Sequence, residues 1–374
     1  MALSIISPGE WRSWGPLDAS VDKLSGTPDV IPGNSAALPV GVVVIGRNEG
    51  ERLRRCLGSV HAARHVVYVD SGSTDGSCAL ARSLGCMVVE LTSPPGFSAA
   101  RARNAGLAQL QLQAPNLGFV QFVDGDCTVA PGWLETALAQ LEAQPETAIV
   151  FGRRRELYPH ANAYHRACDR EWAVPAGLVP ACGGDILARI TALRSVGAYN
   201  PELIAGEEPD LCLRLRRRGW TIRCIAAEMT THDVAIGTFA QWWRRSRRAG
   251  FATTRLVQLH GLSAEPGWRR YLFSTVLWTA LMASIPAGLV LAALAPTRAT
   301  AAAAVLPALA VCIQWLRLAR RNPAARRHPL HALADGGLVL VTKVASFAGM
   351  AEFAIRQASR RRDRLIEYKG TPAS

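Results

Sequence analysis

The sequence lacks the motifs of several common protein classes. Its nine cysteines never form a C-x-x-C pair, which argues against a zinc ribbon. The first residues show no basic segment followed by an apolar core, so we expect reduced, cytosolic thiols rather than a disulfide framework. No G-x-G-x-x-G follows the first predicted strand and no G-x-x-x-x-G-K-[ST] occurs anywhere in the chain. Dinucleotide redox chemistry and P-loop phosphate binding therefore lack their signatures.

Charged residues are also scarce. They make up 19% of the 374 residues, whereas hydrophobic residues make up 49%. This composition excludes a disordered tail or an acidic scaffold. Lys and Arg (42) outnumber Asp and Glu (29), and a net charge of +13 suits nucleic acid, anionic lipid or phosphorylated substrates. Because no RNP, zinc-finger or helix-turn-helix pattern is present, we do not expect nucleic acid as a partner.

The apolar excess is concentrated towards the C-terminus. The ranges 271–295 and 299–316 contain no charged residue, and only Arg298 carries charge between them. As helices they would reach about 37 Å and about 27 Å, against a hydrocarbon core of ~30 Å, so the second run, which also carries Pro307 and Gln314, is the weaker candidate. Arginines precede the first run and follow the second, so the positive-inside rule predicts a hairpin with both ends in the cytoplasm. A pair of buried core helices is the alternative.

A third apolar stretch contains Lys343 and is bounded by Asp335 and Glu352. Its charges predict an interfacial or re-entrant helix at about 330–356, followed by a basic tail. The chain then divides into three parts. We expect a flexible N-terminal lead-in (1–38), an α/β domain that ends in an amphipathic helix (39–261) and a membrane region (262–374).

The α/β prediction comes from short apolar strands that alternate with helices. The strands are predicted at 40–46, 65–71, 86–91 and 119–126, and a helix follows each of them. This pattern indicates a mainly parallel sheet with helices on both faces. Ligands bind such sheets at the carboxyl ends of the strands, where this sequence carries the polar clusters GRNE, DSGSTDGS and DGDC.

Two of these clusters have more than one interpretation. Asp124 and Asp126 flank Gly125 directly after a strand, and two such carboxylates suit a hard divalent cation beside a diphosphate. A plain Asp-Gly turn is equally compatible with this segment. The range 70–77 either caps the next helix or holds a ribose or base through the Asp70 carboxylate.

Six motifs in one order resemble the family 2 glycosyltransferases, which are inverting enzymes with the GT-A fold. The resemblance covers about residues 40–250 and includes IGRNE (45–49), VVYVDSGSTDGS (66–77), ARARNAGL (100–107), FVDGDC (122–127), CGGDILARITALRSVGAYNPEL (182–203) and AGEEPDLCLRLRRRGW (205–220). It implies a GT-A-type mixed sheet, a nucleotide-diphosphate sugar as donor, and a divalent metal, Mn²⁺ or Mg²⁺.

The resemblance also assigns expected roles to residues. Glu208, with Glu207 beside it, takes the position of the general base, and a helix-capping role is the alternative. Metal ligation falls on Asp124, Asp126 and His232, although a lone histidine is often a surface or packing residue. The expected donor-binding residues are Arg47, Asn48, Glu49, Asp70, Ser71, Arg103, Asp124, Gly183, Gly184, Asp185 and Arg244.

The sequence departs from the family pattern at two places. Asp70 is followed by Ser71, where the family has a second acid, and the Glu-Asp base motif reads Glu207–Glu208. A third segment, Gln241-Trp-Trp-Arg244-Arg245, resembles the Q-x-x-R-W of processive members with Arg in the last position. Arg244, Arg247 and Arg248, in and just after this segment, either pair with diphosphate oxygens or form part of an amphipathic membrane-surface helix.

Together these features predict a membrane-bound, non-processive inverting glycosyltransferase. We expect its catalytic domain on the cytoplasmic face of the inner (plasma) membrane. The expected acceptor is a lipid or lipid-linked glycan in cell-surface polysaccharide or glycolipid synthesis. The alternatives are a GT-A-like nucleotidyltransferase and a catalytically silent, nucleotide-binding membrane scaffold.

Overall fold

The computed structural model describes residues 38–93 and 96–359, so the expected lead-in before residue 38 and the tail after residue 359 lie outside it. The first half of the α/β domain alternates between strands and helices, as the pattern predicts. Its elements are β1 (Val40–Gly46), α1 (Glu51–Ser59), β2 (Val66–Asp70), α2 (Ser77–Ser83), β3 (Met87–Glu90), α3 (Ala99–Gln113) and β4 (Phe119–Asp124).

The second half of the domain is less regular. Its elements are β5 (Cys127–Val129), α4 (Trp133–Ala143), β6 (Thr147–Glu156), α5 (Ala163–Glu171), β7 (Gly177–Leu178), β8 (Ile186–Arg189), α6 (Ile190–Ser195), α7 (Glu207–Arg217), β9 (Thr221–His232) and α8 (Phe239–His260). Three long helices follow: α9 (Pro266–Leu294), α10 (Arg298–Arg321) and α11 (Pro329–Ala358).

Within the described ranges the strands form one nine-stranded mixed sheet. The order is β3-β2-β1-β4-β8-β6-β9-β5, and β7 pairs with β9. Strands β1 to β4 are parallel, whereas β8 runs antiparallel to both β4 and β6. The sheet with its helices confirms the predicted fold class.

The centre of the sheet is buried because its strands are continuous apolar runs. Val42, Val43 and Val44 of β1 are fully buried. Helix α3 packs closely over this strand because Gly106 has no side chain. A Cβ atom at that position would lie 2.3 Å from Val43 Cγ1.

The register of the sheet brings the polar strand ends together. Gly46 is paired with Asp70, and Ile45 is paired with Asp124. On the other side of the sheet His232 is the cross-strand partner of both Cys127 and Glu156. These pairs lie at the carboxyl ends of their strands, except that Cys127 begins the antiparallel β5, so the polar loops gather at one region of the fold.

Helices occupy both uncharged runs of the C-terminal region. Among the described residues α9, α10 and α11 are long and apolar enough to cross a membrane. Helices α9 and α10 approach closely, since a Cβ atom on Gly288 would lie 2.7 Å from the backbone nitrogen of Ala304. In the most apolar stretch of α11, 28% of the residues are buried by the rest of the protein, against 6% in α9 and in α10.

Helix α11 lies beside α8 and runs in the same direction. The contacts proceed in order along both helices: Trp242 Nε1 to Thr342 Oγ1 (3.1 Å), Ser346 Oγ to the Ser246 carbonyl (3.3 Å), the rings of Phe251 and Phe353 (5.2 Å between centroids) and Gln258 to Gln357 (3.2 Å).

Two glycines make this close approach possible. A Cβ atom on Gly250 would lie 1.9 Å from the Ser346 carbonyl oxygen, and one on Gly349 would lie 1.9 Å from the Arg247 carbonyl oxygen. Any side chain at either position would force the two helix backbones apart. Helix α11 is therefore packed directly on the α/β domain through α8.

Candidate active site

Two loops at the ends of β1 and β2 are joined by hydrogen bonds. The Asn48 side-chain oxygen accepts from the backbone N–H of Thr74 at 2.7 Å, and the Asn48 N–H donates to Ser73 Oγ at 2.9 Å. Asn48 has a φ of 53°, a conformation that asparagine tolerates better than most residues. The predicted Asn48 thus ties its own loop to the loop that follows β2.

Asp70 and its neighbours order the second loop in the same way. Asp70 is buried, and its Oδ2 accepts from the N–H groups of Gly72 (2.9 Å) and Ser73 (2.7 Å). Its Oδ1 accepts from the Tyr68 hydroxyl at 2.9 Å. The Ser71 N–H donates to the Gly46 carbonyl at 3.0 Å, which ties this loop to β1. Contacts of Asp70 and Ser71 with a nucleoside stay predictions.

The remaining residues of the first loop are partly engaged within the protein. The Arg47 guanidinium lies 5.4 Å from the centroid of the Phe97 ring. Glu49 forms an ion pair with Arg52 at 2.9 Å. Both belong to the predicted donor side, and the structure places them at the same edge of the sheet as Asp70.

Asp124, the first acid of the DGD motif, is held between two buried arginines. Arg103 Nη2 lies 2.9 Å from its Oδ1, and Arg154 Nη2 lies 3.1 Å from its Oδ2. The Asp124 N–H donates to Asp185 Oδ1 at 2.9 Å, while Arg154 also pairs with Asp185 Oδ2 at 3.3 Å. The acidic motif is thus built into a network of fixed charges.

Arg103 also connects this network to the predicted base. Its Nη1 lies 3.2 Å from Glu207 Oε1 and 3.1 Å from Glu208 Oε1. Burial opposes its charge, but Glu208 and Asp124 outweigh that cost and raise the pKa of Arg103 well above its ordinary value. Three carboxylates engage this guanidinium, so a direct contact of Arg103 with a donor stays a prediction.

Glu207 and Glu208 form the first turn of α7, and both are buried. Glu208 Oε2 has no hydrogen-bond partner among the described residues. Burial, followed by the negative charge of Glu207, raises the pKa of Glu208 against the opposing effect of Arg103. A carboxylate with a raised pKa and one unpaired oxygen has the properties required of a general base.

The predicted Gly183-Gly184-Asp185 segment lies against the same network. A Cβ atom on Gly184 would lie 2.3 Å from Arg103 Nη2 and 3.0 Å from Asp124 Oδ2. Glycine at this position therefore permits the arginine–aspartate contact. Asp185 Oδ2 also accepts from Thr230 Oγ1 at 2.8 Å, which anchors the segment to β9.

Asp126, the second acid of the motif, lies beside His232. His232 Nε2 is 3.0 Å from Asp126 Oδ2, and both side chains are buried. The ligand atoms of Asp126, Cys127 and His232 lie within 4.8 Å of one another. Burial, and next the Arg154 charge, lower the pKa of His232, which favours the neutral imidazole that binds metals.

A second group of possible ligands is made up of Asp124, Cys127 and Asp185. Arg154 Nη2 already lies among these three side chains, 2.9 Å from Cys127 Sγ and within 3.3 Å of both carboxylates. The guanidinium therefore supplies the positive charge of that group. Metal ligation by Asp124 stays a prediction, and the arrangement favours the Asp126–His232 pair.

The arginines of α8 differ in their surroundings. Arg248 donates to the Ile204 carbonyl at 2.8 Å, and Arg247 pairs with Glu352 at 3.4 Å. Arg245 makes a bidentate ion pair with Glu171, with nitrogen–oxygen distances of 3.0 and 3.1 Å. Arg244 is exposed, and its contact with a donor stays a prediction.

Sequence reasoning missed Arg154 and Glu156 on β6. The burial of β6 alternates towards its end, with Arg153 and Arg155 exposed and Arg154 and Glu156 buried. The sequence Thr147–Gly152 is apolar enough to predict a buried strand that continues into the charged residues, but this uniformly apolar run does not show which of those residues turn inward. Two charged residues on the inner face of a strand are a signal for a polar site.

Family models match most of the described chain. The model for glycosyl transferase family 2 matches residues 41–175, and the model for glycosyl transferase family group 2 matches residues 119–315. The second match alone covers more than half of the sequence. The chain belongs to the family 2 glycosyltransferases. The resemblance read from the six motifs is thereby confirmed at the level of the family.

Individual relatives share at most about a third of their aligned residues with this glycosyltransferase. Pre-mycofactocin glycosyltransferases from two strains of Mycobacterium tuberculosis are 32% identical over 219 residues. The match covers 54% of this chain and 44% of those proteins, so it spans less than half of their length. A solved mannosyltransferase from Pyrobaculum calidifontis, in complex with GDP-Man and Mn²⁺, has a TM-score of 0.53 at 17% identity. The alignment covers 88% of this chain and 91% of that one, and it shows a shared fold.

Proposed function

We propose that this chain is an inverting glycosyltransferase that moves a sugar from a nucleotide-diphosphate sugar to an acceptor hydroxyl. The observation that carries the proposal is one buried network. It joins the Asp126–His232 region to Glu208 through Cys127, Arg154, Asp124 and Arg103. An inverting transfer needs positive charge at the departing diphosphate and a carboxylate that takes the hydroxyl proton. The network supplies candidates for both.

A divalent cation fits the Asp126–His232 pair on grounds of charge and donor type. The buried carboxylates of Asp126, Asp185, Glu207 and Glu208, together with the half-buried Asp124, outnumber the two buried arginines that contact the network, Arg103 and Arg154. Such an excess of buried negative charge is stabilised by a bound cation. The mixed nitrogen and oxygen donors favour Mn²⁺ over Mg²⁺. Bound there, the ion would neutralise the developing charge on the leaving diphosphate.

Glu208 is the proposed general base, and Glu207 is its electrostatic partner. The Glu208 side chain is enclosed in this structure, so an acceptor hydroxyl reaches it only after the surrounding site opens. Arg103 keeps Oε1 of Glu208 in place, while Oε2 is the oxygen left to accept a proton. The loops that carry Arg47, Asn48, Glu49, Asp70 and Ser71 are the proposed nucleoside side of the site.

Helices α9 and α10 form the proposed membrane hairpin. The turn between them is flanked by exposed leucines, among them Leu294 (78% exposed) and Leu306 (64% exposed). The bases of both helices contact α11. Tyr271 of α9 donates to Ser346 Oγ at 2.8 Å, and Trp315 of α10 donates to the Leu333 carbonyl at 2.7 Å. These contacts support a hairpin that is held to the rest of the protein by α11, with its apolar turn towards the membrane.

Helix α11 is proposed to lie at the membrane surface rather than to cross it. Asp335 near its start pairs with Arg166 (3.1 Å) and Arg170 (2.7 Å) of α5. Glu352 near its end pairs with Arg247 of α8. Both ends are thus tied to the α/β domain, and a crossing would draw the arginine-rich α8 into hydrocarbon at a cost of several kcal/mol. This arrangement agrees with the predicted interfacial helix.

The acceptor is proposed to be a lipid or a lipid-linked glycan, because the hairpin would hold the catalytic domain against a bilayer. Anchoring the enzyme there raises the effective concentration of an amphiphilic acceptor. The name of the curated relatives indicates pre-mycofactocin as their acceptor, so that compound belongs in the same test.

The test uses the purified full-length protein and a panel of nucleotide sugars, with and without Mn²⁺. Each donor is combined with lipid acceptors or with pre-mycofactocin, and the glycosylated product and the released nucleoside diphosphate are both measured. We expect Mn²⁺-dependent transfer with one donor, and none from the Asp126→Asn variant. Release of pyrophosphate, or folded protein that binds no nucleotide sugar with Mn²⁺ present, would contradict the proposal.

A further inference from the structure

Glu156 is a buried carboxylate that none of the roles above uses. It is the last residue of β6, its side chain is fully buried, and it is the cross-strand partner of His232. The same register places His232 opposite Cys127, next to Asp126. One imidazole therefore lies between two carboxylates, with Asp126 at Nε2 and Glu156 on the side of Nδ1.

Both oxygens of Glu156 are held in place. Oε1 accepts from the Tyr158 N–H at 3.2 Å and lies 3.0 Å from His165 Nδ1. Oε2 accepts from the Val234 N–H at 3.3 Å and lies 3.8 Å from His232 Nδ1. These contacts come from three different segments, so the carboxylate is fixed in a position that faces the histidine.

The orientation of the His232 ring is also restricted. The Trp172 ring meets it edge-on, with centroids 4.7 Å apart and an angle of 90° between the planes. His232 Nδ1 is buried and has no hydrogen-bond partner among the described residues. The nearby Glu156 oxygen is the acceptor towards which an N–H at Nδ1 would point.

We propose that Glu156, braced by His165, is a positioning residue that holds His232 with its proton on Nδ1 and its Nε2 lone pair towards Asp126. A histidine that binds a metal through Nε2 must carry its ring proton on Nδ1, and a carboxylate at that atom fixes both the tautomer and the ring. Glu156 thereby sets the affinity of the cation site without being a ligand itself. This inference rests on the proposed metal site.

The substitution that tests it is Glu156→Gln. The amide is nearly the same shape but carries no negative charge, so its oxygen is a weaker acceptor for an N–H at Nδ1, and its NH₂ group, when turned towards Nδ1, donates to that atom and moves the ring proton to Nε2. We expect the Mn²⁺ affinity of the full-length protein, measured by the electron paramagnetic resonance signal of free Mn²⁺ without nucleotide, to fall by ~10–100-fold. Glu228→Gln is the matched control, because Glu228 is an exposed acid on β9 that pairs with Arg155. Its Mn²⁺ affinity should equal that of the wild type.

Further variants distinguish an error in the positioning role of Glu156 from an error in the proposed metal site. Thermal melting without metal shows whether Glu156→Gln is folded. If it is not, the test uses His165→Gln, which removes the contact with Glu156 and leaves the Glu156 carboxylate in place. A folded variant with weaker Mn²⁺ binding supports the proposal, and one with unchanged binding overturns it. Suppose that the wild type binds Mn²⁺, that Asp126→Asn abolishes this binding and that Glu156→Gln leaves it unchanged. In that case the metal site is supported and the positioning role of Glu156 is wrong. If the wild type binds no Mn²⁺, the metal site itself is wrong.

Discussion

Arg103 and Glu208 form a buried ion pair, with Nη1 and Oε1 3.1 Å apart, although they are separated by more than a hundred residues in the chain. The same guanidinium contacts Asp124 at 2.9 Å. The predicted base and the first acid of the DGD motif are thus connected through one cation. Their relative position depends on a residue that neither motif contains.

Arg103→Met should destabilise the protein strongly. It removes the shared cation and leaves the buried Glu207 and Glu208 without their positive partner, while Asp124 keeps only Arg154; breaking a buried pair in this way costs ~3–5 kcal/mol. Thermal melting of the full-length protein measures the effect. Arg54→Met is the control, because the exposed Arg54–Glu51 pair should contribute at most ~1 kcal/mol. Equal melting temperatures for the two variants would contradict the buried-network interpretation.

Glu208→Gln should lower the transfer rate by ~10²–10⁴-fold, the range expected when a general base is lost, and leave donor binding nearly unchanged. Glu207→Gln should have a smaller effect on the rate at its optimal pH, since Glu207 acts on the chemistry through its charge. Steady-state rates and donor titrations of both variants measure this difference. A larger loss of rate for Glu207→Gln, with donor binding intact in both, would assign the base to Glu207.

The pH dependence of transfer should reflect the environment of Glu208. Burial and Glu207 raise the pKa of Glu208, so the rate should fall at a higher pH than an ordinary glutamate would give as the base becomes protonated. Glu207→Gln removes a neighbouring negative charge and therefore lowers that pKa. The acidic limb of the pH–rate profile should move to lower pH in this variant. A shift in the opposite direction would show that Glu207 does not raise the pKa of the base.

The proposed topology predicts which sites share a side of the membrane. Single cysteines at Arg54, in the α/β domain, and at Ser359, after α11, should react with an impermeant maleimide from the same side. A cysteine at Pro296, in the α9–α10 turn, should react from the opposite side. The full chain should also resist extraction by alkaline carbonate. Labelling of Ser359→Cys and Pro296→Cys from one side, opposite to Arg54→Cys, would indicate that α11 crosses the membrane.

The sequence predicted the first half of the sheet well because its signals are local. Strands β1 to β4 are short apolar runs, and their polar ends follow directly in sequence, so the loops with Asn48, Asp70 and Asp124 could be placed at one edge. The positions of Asp126 and His232 side by side also agree with the motifs. Their roles in catalysis stay predictions.

The contacts that could not be predicted depend on distant segments. In the sequence Arg154 and Glu156 cannot be told from solvent-facing charges, because their burial depends on the pairing of β6 with β9. Arg247 and Arg248 were candidates for binding a diphosphate, yet they pair with Glu352 and the Ile204 carbonyl. No pattern within α8 identifies those partners, because they lie on other elements of the fold.

Helix α5 shows why the three C-terminal helices are not a detachable unit. Its nine residues include His165, which braces Glu156, and Arg166 and Arg170, which pair with Asp335 of α11. Cutting the chain after α8 would leave those two arginines without their acidic partner and would uncover the face of α8 that packs on α11. A useful water-soluble fragment would therefore need neutral residues at 166 and 170 and a polar face on α8, or it would have to keep α11 and remove the hairpin alone.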